Sequence, residues 1–226
     1  MKVFKFGGGV VQDATSIIQL AQIVERESPD VLVVSAMGKT TCALERVLQQ
    51  RIDELPYQDT LQTIYDLHRH IIDQLLTQSP RAAHQALEAL QTKLELALAR
   101  PYVPALYGRL YSEVVAWGEL AASTVIYHYL CKRQVPCYWV DARDCIHTRD
   151  GFMYASIDWS VTQAAIRRDI GERCQAGGLA LTQGFIGSQD GITTTLGKEG
   201  SDFTAAIIAA SVGASSVTFW KDVPGV

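Results

Sequence analysis

A lysine followed by three glycines is the first segment of the sequence that could do chemistry. Lys5 lies near the end of a short apolar run, and Gly7, Gly8 and Gly9 follow it. Glycine tolerates positive φ, so consecutive backbone N–H groups can converge on an anion, and a nearby lysine adds a full positive charge. The pattern indicates a phosphate site, with a flexible turn beside an exposed lysine as the alternative. The segment matches neither GxxxxGK[ST] nor GxGxxG.

A second polar segment, residues 193–204, combines threonines, glycines and Lys198. We expect this loop to open a helix with Ser201 or Asp202 as its N-cap. Free N–H groups and the positive end of the helix dipole would then face a ligand. A capped helix without a ligand is the alternative, although the extra glycines and hydroxyl groups exceed what a cap needs.

Three further polar residues are candidates because of their surroundings. Glu119 lies within an apolar helical stripe, where a carboxylate needs a partner, either an internal cation or the ammonium group of a ligand. Thr40 lies in the small-residue loop 35–41 after a predicted strand, and Asp222 follows the last predicted strand. Ligands gather at the carboxyl ends of strands in open α/β sheets, but such residues also form ordinary turns.

The elements that would position these groups alternate between strand and helix. Apolar runs predict strands at 3–6, 31–36, 135–140, 179–186, 191–196 and 217–220. Helical spacing predicts helices at 15–26, 106–132, 158–168 and 201–211, and a helical insertion on the edge of the sheet at about 44–100. Such alternation is typical of parallel strands joined by helical crossovers.

The composition excludes several classes of protein. The 226 residues are 48% hydrophobic and 19% charged with a formal net charge of −4, which excludes disordered and fibrous chains. Basic residues form no cluster that favours nucleic acid, and no apolar stretch reaches the ~18 residues of a membrane span. The five cysteines and five histidines show no metal-ligand spacing. We therefore predict reduced thiols, no protein metal site and a cytoplasmic location.

Six motifs, taken in order, resemble the catalytic domain of aspartate kinases in the amino acid kinase superfamily. They are KFGG at 5–8, SAMGKT at 35–40, GE at 118–119, TQGFIG at 182–187, TTLGxxGSD at 194–202 and WxDVPG at 220–225. The resemblance implies a three-layer α/β/α sandwich with a mainly parallel central sheet. It also implies that residues 1–226 are an incomplete catalytic domain, truncated at the C-terminal end, without the rest of the nucleotide lobe and the ACT domains.

The resemblance further implies a reaction and its partners. ATP, accompanied by Mg²⁺, would phosphorylate the β-carboxylate of L-aspartate, the first step toward lysine, threonine and methionine. The full-length protein would be a homo-oligomer that binds neither nucleic acid nor membrane. The alternatives are another amino acid kinase, acting on glutamate or acetylglutamate, and a non-catalytic fragment that binds nucleotide or amino acid.

The same resemblance implies a role for each candidate residue. Lys5 would contact the phosphoryl group in transfer, and Asp202 would orient Lys5. The aspartate would be held by Thr40, Glu119, Lys198 and Ser201. The nucleotide side would comprise Lys5, Gly7, Gly8, Gly9, Lys221 and Asp222, with the glycines donating N–H groups to phosphate.

The sequence departs from the family pattern at several of these positions. Lys198-Glu199 replaces the common arginine and glycine, and a lysine cannot make a two-pronged contact with a carboxylate. Thr41 stands where the family has asparagine, or Cys42 in a register shifted by one residue; Ala116 replaces a serine and Lys221 a threonine. We expect the 226 residues alone to have weak activity or none.

Overall fold

The computed structural model describes residues 1–222, so Val223, Pro224 and Gly225 of the last motif lie outside the described residues. The strands, in chain order, are β1 (Lys2–Phe6), β2 (Val31–Val34), β3 (Cys137–Val140), β4 (Thr148–Arg149), β5 (Ser156–Ile157), β6 (Leu179–Gln183), β7 (Ile186–Gln189), β8 (Ile192–Thr195) and β9 (Ser216–Trp220). The helices are α1 (Ala14–Glu27), α2 (Thr40–Ile52), α3 (Gln58–Leu75), α4 (Arg81–Ala99), α5 (Tyr107–Lys132), α6 (Ala142–Cys145), α7 (Trp159–Ile166), α8 (Glu172–Gln175) and α9 (Gly200–Val212).

A five-stranded parallel sheet lies at the centre of the molecule, in the order β3-β6-β2-β1-β9. The predicted parallel sheet is confirmed. In this sheet Lys5 of β1 pairs with Val33 of β2 on one side and Phe219 of β9 on the other. The loops that follow β1, β2 and β9 therefore leave the sheet next to one another, at its carboxyl edge.

Helix α1 shows how the local sequence sets an element and its buried face. Asp13 accepts from the Ser16 N–H at 2.8 Å and donates its own N–H to Ser16 Oγ at 3.0 Å, which forms a capping box. Ile17 and Leu20 recur at helical spacing and are buried to within 1% of full burial. Burying each such side chain contributes about 1.5–3 kcal/mol. The helix therefore packs firmly on the sheet.

Helices cover both faces of the sheet, as predicted for a three-layer sandwich. Phe4 and Phe6 of β1 point into a core shared with α1 to α5. Val3, on the opposite face of the same strand, points into a core shared with α7, α8 and α9. Lys5 alternates with Phe4 and Phe6, so it lies on the face that α9 covers.

The predicted strand 179–186 is wrong in extent, because two strands of different sheets follow each other there. β6 ends at Gln183, the Gly184 N–H still donates to Val34 O at 2.9 Å, and the chain turns at Phe185 with φ of +71°. β7 then pairs with β8 in a separate antiparallel hairpin, so the predicted strand 191–196 also lies outside the central sheet. The sequence does not reveal this turn, because Phe185 is not a residue type that favours positive φ.

The helical insertion lies over a face of the sheet, and the prediction of an edge position is wrong. α3 contacts α1, α2 and α5, and α4 packs mainly along α5. Their buried side chains belong to the same core as Phe4 and Phe6. Spacing of apolar residues defines which side of a helix is buried, but it does not specify the partner. Within residues 1–222, no helix combines the length and apolar character that crossing a bilayer requires.

Candidate functional site

Two lysines share one carboxylate at the carboxyl edge of the sheet. Lys5 Nζ lies 2.6 Å from Asp202 Oδ1, and Lys221 Nζ lies 2.7 Å from Asp202 Oδ2. Burial alone would raise the pKa of Asp202, but the ion pairs with Lys221 and Lys5 hold that pKa below its usual value. The three groups come from β1, the first turn of α9 and the residue after β9, and carry a net positive charge.

The glycines after β1 allow close approach of neighbouring chain segments. A Cβ on Gly8 would lie 2.8 Å from Ala36 O, and one on Gly9 would lie 2.5 Å from Asp222 Oδ2. None of the three glycines has positive φ; the left-handed residue of this region is Gly38, with φ of +52°. The prediction that these glycines are needed for positive φ is therefore wrong. They are needed because a side chain at Gly8 or Gly9 would collide with Ala36 or Asp222.

One N–H of this loop is already used inside the protein. The Gly7 N–H donates to Trp220 O at 3.0 Å, which fixes the loop to β9. Within residues 1–222, the N–H groups of Gly8 and Gly9 have no backbone acceptor outside their own turn. A Cβ on Gly7 would lie 3.5 Å from Lys5 Nζ, so the loop backbone passes beside the lysine ammonium group.

Glu119 is a buried carboxylate with half of its hydrogen-bonding capacity unused. Oε1 accepts from the Ala36 N–H at 3.3 Å, whereas Oε2 is buried and finds no donor among residues 1–222. Burial raises the pKa of Glu119 to about 8, an effect that the Ala36 N–H and the positive charge of Lys5 partly offset. The sequence left open an internal cation or a ligand ammonium group as the partner, and among residues 1–222 no cation forms an ion pair with Glu119.

Helix α5 brings Glu119 close to the loop after β2. Gly118 makes this possible, because a Cβ there would lie 2.9 Å from Ala36 Cβ and 3.2 Å from Thr40 Cγ2. Thr40 is 3% exposed and donates its hydroxyl to Met37 O at 2.7 Å. The hydroxyl oxygen of Thr40 can still accept a hydrogen bond.

Helix α9 begins before the predicted caps, so the prediction of Ser201 or Asp202 as N-cap is wrong. Glu199, with φ of +58°, is the N-cap, and its carbonyl accepts from the N–H groups of Asp202 and Phe203 at 3.0 and 3.1 Å. Ser201 and Asp202 lie in the first turn, where their side chains are free for other partners. The Ser35 hydroxyl donates to Ser201 Oγ at 2.9 Å, which joins the loop after β2 to α9.

Lys198 is exposed and lines a separate cavity of about 350 Å³ beside the group just described. Thr41, Glu45 and Tyr111 lie in the same lining, and the Tyr111 hydroxyl donates to Glu45 Oε1 at 2.7 Å. Lys198 forms no ion pair with any residue of 1–222. The cavity lies next to the loop after β2, through Thr41, and has the size of a small-molecule site.

Ser35 and Tyr154 are site residues that the sequence analysis did not select. Ser35 stood inside the candidate loop 35–41, so its position after a strand could have indicated it. Tyr154 lies against Gly197 so closely that a Cβ on the glycine would collide with its ring, and it has φ of +53°. No signal in the sequence predicts this contact.

The assembled groups are suited to holding two anions near each other. Lys5, Lys221 and the N–H groups of the glycine loop lie on one side, and Thr40, Ser201 and Glu119 lie around the loop after β2. Within residues 1–222 no cluster of three or more metal-ligand side chains occurs. The arrangement can neutralise and position reactants without supplying a nucleophile.

Comparison with known proteins gives relatives that match nearly all of this chain. Lysine-sensitive aspartokinase 3 of Escherichia coli is 32% identical over 225 residues, covering 99% of this chain and 49% of the relative. The aspartokinase of Chlamydia trachomatis is 31% identical over 234 residues, covering 99% of this chain and 49% of the relative. The chain thus spans about half the length of these curated relatives.

Solved structures share the fold over the whole chain. E. coli aspartokinase III in complex with lysine and aspartate superimposes with a TM-score of 0.89 at 30% identity, covering 100% of this chain and 50% of that one. The same enzyme in complex with aspartate and ADP gives a TM-score of 0.86 at the same identity and coverage. The family model described as "Amino acid kinase family" matches residues 1–226. The chain belongs to the amino acid kinase family.

Proposed function

We propose that the protein containing this chain transfers a phosphoryl group from ATP to the β-carboxylate of L-aspartate. The observation that carries the proposal is the carboxylate of Asp202 shared by Lys5 and Lys221 beside the glycine loop. Family membership and the aspartokinase names of the relatives support the same reaction. The full-length protein would act at the first step toward lysine, threonine and methionine.

Lys5 is the group that stabilises charge on the phosphoryl group during transfer. The nucleophile is the substrate's own carboxylate, so the protein must position two anions and neutralise charge. Asp202 holds the Lys5 ammonium group at 2.6 Å and fixes it beside the Gly7 backbone. Lys221, Asp222 and the N–H groups of Gly8 and Gly9 belong to the nucleotide side.

Glu119, Thr40, Ser201 and Lys198 form the aspartate side of the proposed site. Glu119 Oε2, which finds no donor among residues 1–222, meets the α-ammonium group of the substrate. Thr40 and Ser201 contribute hydroxyl groups. Lys198 meets a carboxylate through a single ammonium group in place of a forked guanidinium.

Mg²⁺ accompanies ATP in this proposal and supplies charge neutralisation on the phosphates. It keeps several waters and binds mainly through phosphate oxygens and one or two carboxylates. Both oxygens of Asp202 are engaged by lysines, whereas Asp222 has its carboxylate beside Gly9. Asp222 is therefore the residue of this group that fits a metal–nucleotide complex.

Three further features stay predictions. We place residues 1–226 within one amino acid kinase catalytic domain that contains the helical insertion, and we expect the full-length protein to be a homo-oligomer. We also expect a cytoplasmic location, with which the cysteine usage agrees.

A substrate panel tests the proposed function. The natural full-length protein is incubated with ATP, Mg²⁺ and aspartate, glutamate or N-acetylglutamate, and the acyl phosphate is trapped as a hydroxamate. We expect product with aspartate and little with the other two acceptors. Comparable product with glutamate or acetylglutamate would assign another reaction of the family. Failure to bind ATP–Mg²⁺ or aspartate in calorimetry would leave a non-catalytic role.

A further inference from the structure

A cavity of about 350 Å³ lies between the second half of α4, helix α5 and the β7–β8 hairpin. Its lining includes Arg109, Glu113 and Trp117 of α5, and Gly191 and Ile192 of the hairpin. None of the residues assigned above to the aspartate or nucleotide side lines it. Its volume falls within the range of small-molecule sites, so a macromolecular partner is not needed to fill it.

Cations dominate the polar part of this lining. Lys93, Arg100, Arg109 and Arg143 line the cavity together with a single carboxylate, Glu113. Arg100 and Arg109 both contact that carboxylate, the latter at 3.0 Å. Burial, together with the charge of Arg109, lowers the pKa of Arg100, which indicates that the two guanidinium groups are close enough to repel each other.

The third arginine is fixed in place by an acidic neighbour outside the lining. Arg143 pairs with Asp141 and directs one guanidinium nitrogen at Thr193 Oγ1, 3.3 Å away. Four cations thus face two carboxylates, Glu113 and Asp141, in a chain whose formal net charge is −4. The local surplus of positive charge favours an anion.

A buried aromatic side chain, Trp117, also belongs to the lining. Trp117 is 2% exposed, and its indole N–H finds no hydrogen-bond partner among residues 1–222. Its ring packs against His68 and Tyr65, so the ring itself is held rigidly. The ring therefore forms a fixed part of the cavity wall.

The rest of the lining is apolar. Leu90, Leu94, Ala97, Leu120 and Ile192 form this part of the wall. A ligand that fills the cavity must therefore carry an anionic group at one end and an apolar body at the other.

We propose that this cavity binds a small organic anion, whose carboxylate or phosphate group contacts Arg100, Arg109 and Arg143 while its apolar body packs on the leucines of α4. The guanidinium groups provide forked donors that match either anionic group. The proposal does not depend on the kinase reaction, because binding at this cavity is measured without turnover.

Fluorine NMR of the full-length protein labelled with 5-fluorotryptophan tests the proposal directly. The resonance that disappears in Trp117→Phe is the one that belongs to Trp117. Benzoate and phenyl phosphate are titrated as the two anionic probes, with benzamide as the neutral control. We expect a saturable shift of the Trp117 resonance with at least one anion, at affinity roughly tenfold or more above that of benzamide. The tighter anion identifies the preferred headgroup.

Charge-removing variants locate the binding. Arg109→Gln and Arg143→Gln should each weaken binding of the anion by roughly tenfold, as expected for loss of a charge-assisted contact. Arg26→Gln, which removes an exposed cation of α1, should leave the affinity unchanged. The proposal is overturned if neither anion gives a saturable shift, if benzamide binds as well, or if both cavity variants keep full affinity.

Discussion

At the residue scale, the buried ammonium group of Lys5 is both stabilised and oriented by its ion pair with Asp202. Lys5 is 4% exposed, and its ammonium group lies 2.6 Å from Asp202. A buried ammonium group requires such a partner, because desolvation is otherwise too costly. The same partner also directs the group toward the glycine loop, where phosphate is expected.

Lys5→Ala should lower kcat by about 100- to 1000-fold, the range found when one donor to a charged transition state is removed. The KM for aspartate should change little, since Lys5 acts mainly during transfer. Hydroxamate trapping at saturating ATP measures both constants. Lys2→Ala is the matched control, because Lys2 lies on the same strand and is exposed. Normal turnover of Lys5→Ala would limit this lysine to a structural role.

Glu119 predicts a pH dependence of aspartate binding. Burial raises its pKa to about 8, so the group is mostly protonated at neutral pH and must lose a proton to pair with the substrate ammonium group. The KM for aspartate should therefore fall as pH rises from 6 to 8, by up to about tenfold per pH unit, and then level off. Steady-state kinetics across this range measure the profile.

The control for this profile is Glu119→Gln, which should bind aspartate weakly and show no such dependence. A KM that stays constant in the unsubstituted protein would argue that Glu119 is already ionised or does not meet the substrate.

At the scale of elements, α5 connects the candidate site to the helical insertion. It contacts α2, α3 and α4 and also lies against the sheet through β3 and β6. Gly118 lets this helix approach the loop after β2, and Glu119 follows it directly. The position of the buried carboxylate thus depends on helix packing as much as on local sequence.

Two glycine-to-alanine changes on α5 should have opposite effects on stability. Gly118→Ala places a methyl group 2.9 Å from Ala36 Cβ, and such overpacking costs about 1–3 kcal/mol. A Cβ on residue 108 would meet Met153 at ordinary contact distances, the nearest atom being Cγ at 3.5 Å, so Gly108→Ala should stabilise by up to about 1 kcal/mol through helix propensity. Urea unfolding measures both changes. Equal effects of the two substitutions would contradict the close approach at Gly118.

At the scale of the whole molecule, Asp202 links three separate parts of the chain. It lies on α9 and pairs with Lys5 of β1 and with Lys221 after β9. Lys5 and Lys221 are more than 200 residues apart in sequence, but β1 and β9 are neighbours in the parallel sheet. Loss of the shared carboxylate should therefore affect global stability as well as catalysis.

Asp202→Asn should lower the free energy of unfolding at pH 7 by about 1–3 kcal/mol, because Lys5 is left buried without a charged partner. The lysines hold the pKa of Asp202 below its usual value, so its contribution is present above about pH 4 and is lost as pH falls through the folded-state pKa. The difference in the free energy of unfolding between the unsubstituted protein and Asp202→Asn should therefore shrink below pH 4. Chemical denaturation at several pH values measures this.

The control for the acid profile is Asp53→Asn, an exposed aspartate whose substitution should change little at any pH. A difference for Asp202→Asn that does not vary with pH would mean that the shared carboxylate is not the source of the effect.

The sequence by itself determined the alternation of strands and helices and most of the candidate residues. Apolar period and motif order are local properties, and α1 keeps to its predicted bounds within one residue at each end because its capping box and its apolar stripe are local. Glu119 could be selected because a carboxylate is unexpected in an apolar helical stripe. Lys5 and Asp202 could be selected because they lie in glycine-containing motifs. The position of the helical insertion could not be predicted, because an apolar stripe shows which side of a helix is buried but not which element it packs against.

Only the tertiary structure decided how these residues meet. The sharing of Asp202 by Lys5 and Lys221 requires β1 to lie between β2 and β9, which no local pattern encodes. The same holds for the glycines after β1, whose reason is close approach by Ala36 and Asp222, and for the turn at Phe185 that ends β6. Contacts between residues distant in sequence depend on the packing of the whole chain, and packing is a property of three-dimensional shape.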